Sequence, residues 1–361
     1  MGAEVWVLGG TGRSGRAVAV ELVARGLEPV LVGRDAERLQ AAAGALGGGR
    51  VQVAGSVEEM AVLVRQHRPA VVVNTVGPFA TTAPPLLAAC LPGSHFVDLA
   101  NDLGAVVALL EQDAAAVAAG RTVVTGAGFG VTATESVVVA LCAGRPAPAR
   151  VRVDMVPSLA VEEGVLGDAL AGTLVEGLPG VPGGRRFQGR AVRGGRLVPA
   201  RLGGDALLLT LPDGERVTTA ALPLGELLAA QRASGAAEVV AASSAGPTSP
   251  LARAVLPLGT ALLGVAPLRA AARRGLARVR FCAAPRPREH SYGHARVEWA
   301  DGSVREGWLQ LGDAQEWTGA VPAEISRRLL AGEGRAGAGT PAALFGTSLA
   351  QACGATYLLD A

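Results

Sequence analysis

Short apolar runs recur through the first third of the chain, at Glu4–Leu8, Pro29–Val32, Val51–Val53, Ala70–Val73, His95–Leu99 and Thr122–Val124. Between them, at about 13–26, 35–46, 56–67, 83–91 and 104–119, the spacing of apolar positions is helical. Short apolar strands alternating with helices predict a parallel sheet covered on both faces. The expected fold class is therefore α/β, with a doubly wound, Rossmann-type sheet.

The rhythm changes after Gly126. A helix is predicted over Thr132–Ala143, a strand over Arg150–Val156 and a helix at about Gly164–Gly177. Gly194-Gly195, Gly203-Gly204 and Asp213-Gly214 then punctuate short alternating segments from Arg185 to Pro223, and Asp301-Gly302 separates Ala295–Trp299 from Arg305–Leu311. Such pairs signal hairpins, so the second domain is expected to be α+β with a largely antiparallel sheet. Gly332–Gly339 reads as a loop and Pro341–Cys353 as a last helix. The expected division is a nucleotide-binding domain over 1–130, rejoined by 340–361, and a substrate or dimerisation domain over 131–339; a homodimer is left open.

One stretch, Ala254–Leu268, carries no charge and lies between Arg253 and Arg269. It is shorter than the ~20 residues that span a bilayer, and Pro257 and Pro267 interrupt it. A buried helix or a lipophilic substrate wall is expected, with peripheral membrane contact as the alternative and no integral span.

Composition narrows the chemistry. With 361 residues, half of them hydrophobic, the chain can bury the cores of two domains. A net charge of +2 and 3% aromatic residues argue against a nucleic-acid partner. All basic residues are arginines, which excludes Schiff-base catalysis, a Walker-type phosphate loop and the Tyr-Lys pair of short-chain dehydrogenases. Cys90, Cys142, Cys282 and Cys353 are widely spaced and read as buried, reduced thiols. No basic region followed by an apolar one opens the chain, so a cytoplasmic location is expected.

The sharpest motif is GGTGRSGR at residues 9–16, directly after VWVL. Gly9, Gly12 and Gly15 stand between a predicted strand and a predicted helix, where a pyrophosphate needs a tight turn, an open backbone and close helix packing. Thr11, Arg13 and Ser14 share that turn. The second strand ends in LVGRD; Arg34 there suits a 2′-phosphate, which points to NADP(H), and Arg13 and Arg38 are placed to join it. Asp35 would instead serve as the ribose-binding acid of an NAD site if that strand ended two residues later. Asn74, Val76, Gly77 and Pro78 leave the fourth strand, where ligands of open α/β sheets sit, although a simple Gly-Pro turn explains them equally.

GGTGRSGR, LVGRDAERL, VVVNTVGPF, ACLPGSHFVDLAND and VVTGAGFGVTATES, with the C-terminal GDAQEWTGAVPAEISRRLLAGEGRAGAGTPAALFG, resemble the saccharopine dehydrogenase-like NADP-binding oxidoreductases, including the trans-acting enoyl reductase branch. The resemblance covers residues 1–135 and 310–350. It implies NADP(H) held at Gly9, Gly12, Gly15, Arg34 and the Val76–Pro78 turn, with substrate facing the second domain. The chain departs from the family pattern at Gly130 after Gly128-Phe129, at Asn101-Asp102 and at Trp317, where acidic residues, a Gly-Glu pair and a tyrosine are common. These losses argue against an amino-diacid substrate.

Hydride transfer to a carbonyl, imine or enoyl group needs a donor or stabiliser near the developing charge. The candidates are Asp98, Glu135 and Tyr292, with Asn101 beside the cofactor. Asp102 reads more readily as a helix cap, and Glu135 equally as a helix-surface residue. His290 and His294 in HSYGH have a spacing that suits zinc on a helix, but Gly293 and the following VEW argue for a strand, and no metal is assigned. The expected activity is NADPH-dependent reduction of an apolar small-molecule or carrier-tethered substrate in secondary metabolism. A non-catalytic NADP-binding sensor and an amino-acid dehydrogenase are the alternatives.

Overall fold

A computed structural model describes residues 4–91, 93–161, 163–249, 251, 256, 259, 260 and 262–360. The chain begins β1 (Val5–Leu8), α1 (Arg13–Ala24), β2 (Pro29–Gly33), α2 (Ala36–Ala45), β3 (Arg50–Val53), α3 (Val57–His67), β4 (Val71–Asn74), α4 (Phe79–Cys90), β5 (His95–Asp98), α5 (Leu103–Leu110), α6 (Asp113–Ala118), β6 (Thr122–Val124) and α7 (Phe129–Cys142). It continues with β7 (Arg150–Val156), β8 (Gly164–Val165), α8 (Gly167–Glu176), β9 (Gly189–Arg193), β10 (Arg196–Ala200), β11 (Leu207–Thr210), β12 (Arg216–Ala221), α9 (Glu226–Ser234) and β13 (Glu238–Ser243). Then come α10 (Ala266–Ala277), β14 (Arg280–Phe281), β15 (Ser291–Glu298), β16 (Val304–Leu311), α11 (Ala314–Leu330), β17 (Gly337–Gly339), α12 (Pro341–Phe345), α13 (Ser348–Ala352) and β18 (Thr356–Leu359). Two units result: Met1–Asn101 with Ala105–Thr132 and Gln315–Gly354, and Asp102–Gly104 with Ala133–Ala314 and Ala355–Ala361.

In the first unit, seven parallel strands run in the order β17-β6-β5-β4-β1-β2-β3. Every residue of β1, β2 and β4 is buried, as strands covered on both faces require. Trp6, Leu8, Val30, Val32, Val72, Phe96 and Val123 form the core on one face with Leu86 and Leu87 of α4. Truncating one of these to Ala would cost about 2–5 kcal/mol. Two helix starts follow from local sequence: Ser56 accepts from Glu59 N while the Glu59 carboxylate accepts from Gly55 N, and Asp35 accepts from Arg38 N.

In the second unit the sheet runs β10-β9-β13-β7-β15-β16-β18, with the β11–β12 hairpin attached to β13. Only β13 and β7 pair in parallel, so the sheet is largely antiparallel, as the hairpin signals implied. Gly194-Gly195, Asp213-Gly214 and Asp301-Gly302 do turn hairpins. Gly203-Gly204 instead links β10 to β11 and exchanges hydrogen bonds with Ala221.

Several expectations are corrected. Gly332–Gly339 is not all loop, because Gly337–Gly339 pairs with β6 as the seventh strand. The first unit is rejoined from Gln315 rather than from 340, and β18 leaves it to pair with β16 in the second sheet. Helix α4 begins at Phe79, so Pro84 and Pro85 lie within it rather than opening it. Of the apolar stretch 254–268, residues 254, 255, 257, 258 and 261 lie outside the described residues. Leu262, Val265 and Leu268 are about half exposed, at 51%, 49% and 46%, so a buried helix does not describe them. Cys90 is buried, but Cys282 is exposed and Cys142 and Cys353 are half-buried; all four are free thiols.

Candidate functional site

The first sheet changes direction between β1 and β4, since β2 and β3 extend it one way and β5, β6 and β17 the other. Leu8 and Asn74 are paired at the carboxyl ends of these neighbours, so the turns that follow them meet. Such a switch point opens the crevice in which doubly wound sheets bind ligands.

The three glycines of the first turn differ physically. Gly9 has φ +82°, and a Cβ there would lie 2.6 Å from Thr75 Oγ1. A Cβ on Gly15 would lie 2.2 Å from Gly9 O and 2.9 Å from Gly10 Cα, so α1 can start against the turn only because this residue has none. Gly12 has an ordinary φ of −75°, and a Cβ there would meet only Gly9 O, at 3.3 Å. The protein's own packing therefore constrains position 12 far less than positions 9 and 15. Gly12 is exposed and caps α1 without a side chain, and no acidic residue occupies the first helical turn. The first N–H groups of any helix lack intrahelical acceptors, so this cradle of open backbone and helix N-terminus suits a phosphate.

Helix α11 braces that cradle, a feature no sequence pattern announced. Gln315 Nε2 donates to Ser14 Oγ at 3.3 Å, and Gly319 lies so close to Ala17 that a Cβ would meet its backbone at 2.7 Å. At the end of β2, the strand stops at Gly33 and Arg34 is exposed just beyond it. Asp35 caps α2, which gives it a local role and weakens the reading as a ribose-binding acid.

Around the second turn, Asn74 is fully buried; its Oδ1 accepts from Val76 N at 3.0 Å, and its Nδ2 has no partner among the described residues. Thr75 Oγ1 donates to Leu8 O at 2.7 Å and ties the two turns together. Thr82 Oγ1 donates to Val76 O, and Pro78, after a cis Gly77–Pro78 peptide, caps α4. Nearby in the same unit, Thr318 Oγ1 accepts from Phe129 N at 3.1 Å and Trp317 meets Phe129 edge-on. Trp317 Nε1 is likewise buried without a partner among the described residues. Buried donors are nearly always satisfied, and Asn74 Nδ2 and Trp317 Nε1 share this lack of a partner with Arg121 Nε, just before β6.

The ionisable candidates fare differently. Asp98, paired with Asn74 across β4 and β5, is fully buried. Its Oδ1 accepts from Ala100 N, Thr125 Oγ1 and Gly126 N at 3.1, 2.9 and 3.2 Å. Through Oδ1 that carboxylate fastens the ends of β5 and β6. Glu135, in the second unit, is fully buried within α7, so the helix-surface reading is wrong for it. Asn101 is half-buried, and Asp102 bridges to Leu224.

Tyr292 is 1% exposed, packed with Val156, Leu211, Val217 and Trp308, and its hydroxyl donates to Asp213 at 3.1 Å. Burial and the Asp213 charge push its pKa well up, so the hydroxyl stays protonated with its hydrogen directed at Asp213. His294 sits on strand β15 with Nδ1 2.9 Å from Asp154 and Nε2 2.9 Å from Glu306. Burial opposes its charge, but the two carboxylates outweigh it and raise the imidazole pKa, so neither nitrogen is left as a metal ligand. Arg152 and Thr219 complete this network around Asp154, and Trp308 stacks on the His294 ring at 4.2 Å.

No protein-family model matches the chain, and no curated protein matches it in sequence. Among solved structures, apo saccharopine dehydrogenase (L-Glu forming) from Saccharomyces cerevisiae is similar over 100% of both chains, with 14% identity and a TM-score of 0.63. A metagenomic short-chain oxidoreductase in complex with NADP is similar over 34% of this chain and 80% of its own, with 19% identity and a TM-score of 0.30. Serine dehydrogenase from Escherichia coli is similar over 34% of this chain and 80% of its own, with 17% identity and a TM-score of 0.29. The full-length likeness establishes the architecture: the chain has the fold of a saccharopine dehydrogenase.

Proposed function

We propose that this chain is an NADP(H)-dependent oxidoreductase that reduces an apolar carbonyl, imine or enoyl substrate, one tethered to a carrier in secondary metabolism being the narrower form of the reading. The observation that carries it is Gly12, an exposed glycine whose Cβ would meet a single atom of the protein, at the start of α1, which no side chain caps, and at the switch point of the sheet. The residues present fit the cofactor: α1 and the Gly9–Gly15 turn, with Thr11, Arg13 and Ser14, would hold the pyrophosphate, and Arg34 the 2′-phosphate. Asn74, the Val76–Pro78 turn and Asn101 would hold the nicotinamide end. Bound NADPH supplies the hydride.

The chain's own contribution is neutral donors rather than acids. Asn74 Nδ2 and Trp317 Nε1 are both buried without a partner among the described residues, and an uncharged N–H in a dry environment stabilises a developing oxyanion without itself titrating. Asp98 and Tyr292 are committed elsewhere, which suits an apolar substrate better than the amino-acid dehydrogenase reading suggested by the yeast protein's name. The same commitment favours, as the second reading, a protein that binds NADP(H) without turning it over.

The test is NADPH titration followed by stopped-flow oxidation against enoyl thioesters, ketones and cyclic imines. NADPH should bind more tightly than NADH, and Arg34→Ala should weaken it about 10- to 150-fold, as expected for one charged hydrogen bond of about 1.5–3 kcal/mol. Turnover of a panel member supports the reductase; tight binding without turnover supports the second reading. Failure to bind NADPH would sink both.

A further inference from the structure

Residues 239–288 contain eight arginines and no Asp or Glu. Of the sixteen exposed large apolar side chains among the described residues, seven gather in or beside this segment. They are Leu251, Leu262, Val265, Leu268, Val279 and Phe281, with Val165 on β8, the strand paired to β14. Scattered single exposures need no explanation, but a concentration of this kind marks an interaction surface.

Helix α10 organises it. Arg269, Ala272, Arg273 and Leu276, at helical spacing, are half-buried on the side that packs against α8. The opposite side exposes Leu268, Ala271, Arg274 and Arg278, and no residue of the helix is fully buried. Arg274, Arg278 and Arg280 make no ion pair among the described residues. Arg185, Arg186 and Arg269 line one open hollow with Phe187 and Thr260 and no acidic side chain. Arg186 also pairs with Glu176 at 3.5 Å, and Arg269 donates to Leu263 O.

We propose that this face docks on the surface of an anionic phospholipid bilayer, its aliphatic side chains entering the boundary between headgroups and acyl chains and its arginines meeting headgroup phosphates. Among the described residues no helix is long and apolar enough to cross a membrane, so the contact is interfacial. An acidic protein or a nucleic acid would answer the arginines alone. The exposed Leu262, Val265 and Leu268 ask for an apolar medium as well, which a bilayer supplies under a layer of negative charge.

The experiment is flotation of the full chain with vesicles of phosphatidylcholine, alone and mixed with phosphatidylglycerol. Binding is expected to the mixed vesicles only, and to fall with added salt. Arg274→Gln, Arg278→Gln and Arg280→Gln together should weaken it roughly a hundredfold, since each cation near an anionic surface contributes about a fivefold gain. Leu262→Ser with Leu268→Ser should weaken it independently of salt. All five positions are exposed, and an unchanged thermal midpoint verifies that the variants are folded. Equal binding to both vesicle types, parental binding by both variants, or retention on heparin without flotation would overturn the proposal.

Discussion

The contrast between Gly12→Ala and Gly15→Ala separates a glycine kept for the fold from one kept for a ligand. At Gly15 the new Cβ would stand 2.2 Å from Gly9 O, about 1 Å inside ordinary contact, and the obstacle is backbone that cannot swing aside. Overpacking of this sort costs about 1–3 kcal/mol or more, against a gain of up to about 1 kcal/mol in helix propensity. The thermal midpoint should therefore fall by about 2–6 °C. At Gly12 the Cβ meets only Gly9 O, at 3.3 Å, a contact far less severe than the one at Gly15. The weaker N-cap costs up to about 1 kcal/mol, and the smaller entropy of the unfolded chain returns about 0.4–1 kcal/mol, so the midpoint should hardly move. NADPH affinity should nevertheless drop about 10- to 150-fold, because the methyl occupies the anion's approach and forfeits a charged hydrogen bond. Differential scanning fluorimetry and NADPH fluorescence titration read the two effects separately. Parental NADPH affinity in Gly12→Ala would refute the reasoning, and so would a Gly15→Ala protein as stable as its parent.

Further outcomes follow from the same geometry. Asp98→Ala should cost at least ~2 kcal/mol by stranding buried donors, whereas Asp98→Asn should keep NADPH binding and most turnover; loss of turnover alone in the Asn variant would show that the carboxylate transfers a proton. Trp317→Phe removes an orphan N–H, so the NADPH-free protein should be no less stable while KM rises or kcat falls; unchanged kinetics would exclude Trp317 from the site. His294→Gln should cost about 1–3 kcal/mol, because Asp154 loses one charged hydrogen bond but keeps Arg152 and Thr219. In the parent, the raised His294 pKa makes its contribution complete below its ordinary value and lost as pH rises through the raised one. The lowered Asp154 and Glu306 values make theirs lost as pH falls through them, so stability should peak between these limits and the variant's profile should be flatter.

The local grammar of the first unit was legible because its elements are short-range. Strands with every side chain buried, glycines at a strand–helix junction and Ser56 three residues before Glu59 each carry their instruction within a few positions. The hairpins at Gly194-Gly195, Asp213-Gly214 and Asp301-Gly302 were readable for the same reason. Pairings between distant segments were not. Gly337–Gly339 has only the Ala338 methyl to mark it as a strand and becomes one because β6 offers an edge. Asp98 and Tyr292 could be named from the sequence by residue type alone, and only the fold shows the partners they find, Thr125 and Gly126 for one and Asp213 for the other. His294 shows this most clearly: the sequence left its role open between a zinc spacing and a strand position, and the fold sets it between Asp154 and Glu306, which raise its pKa. The sequence by itself determined which elements form and where a phosphate can approach, since those depend on backbone freedom and local polarity. Only the tertiary structure decided which polar groups remain unpaired, because that depends on what the rest of the chain brings to each of them.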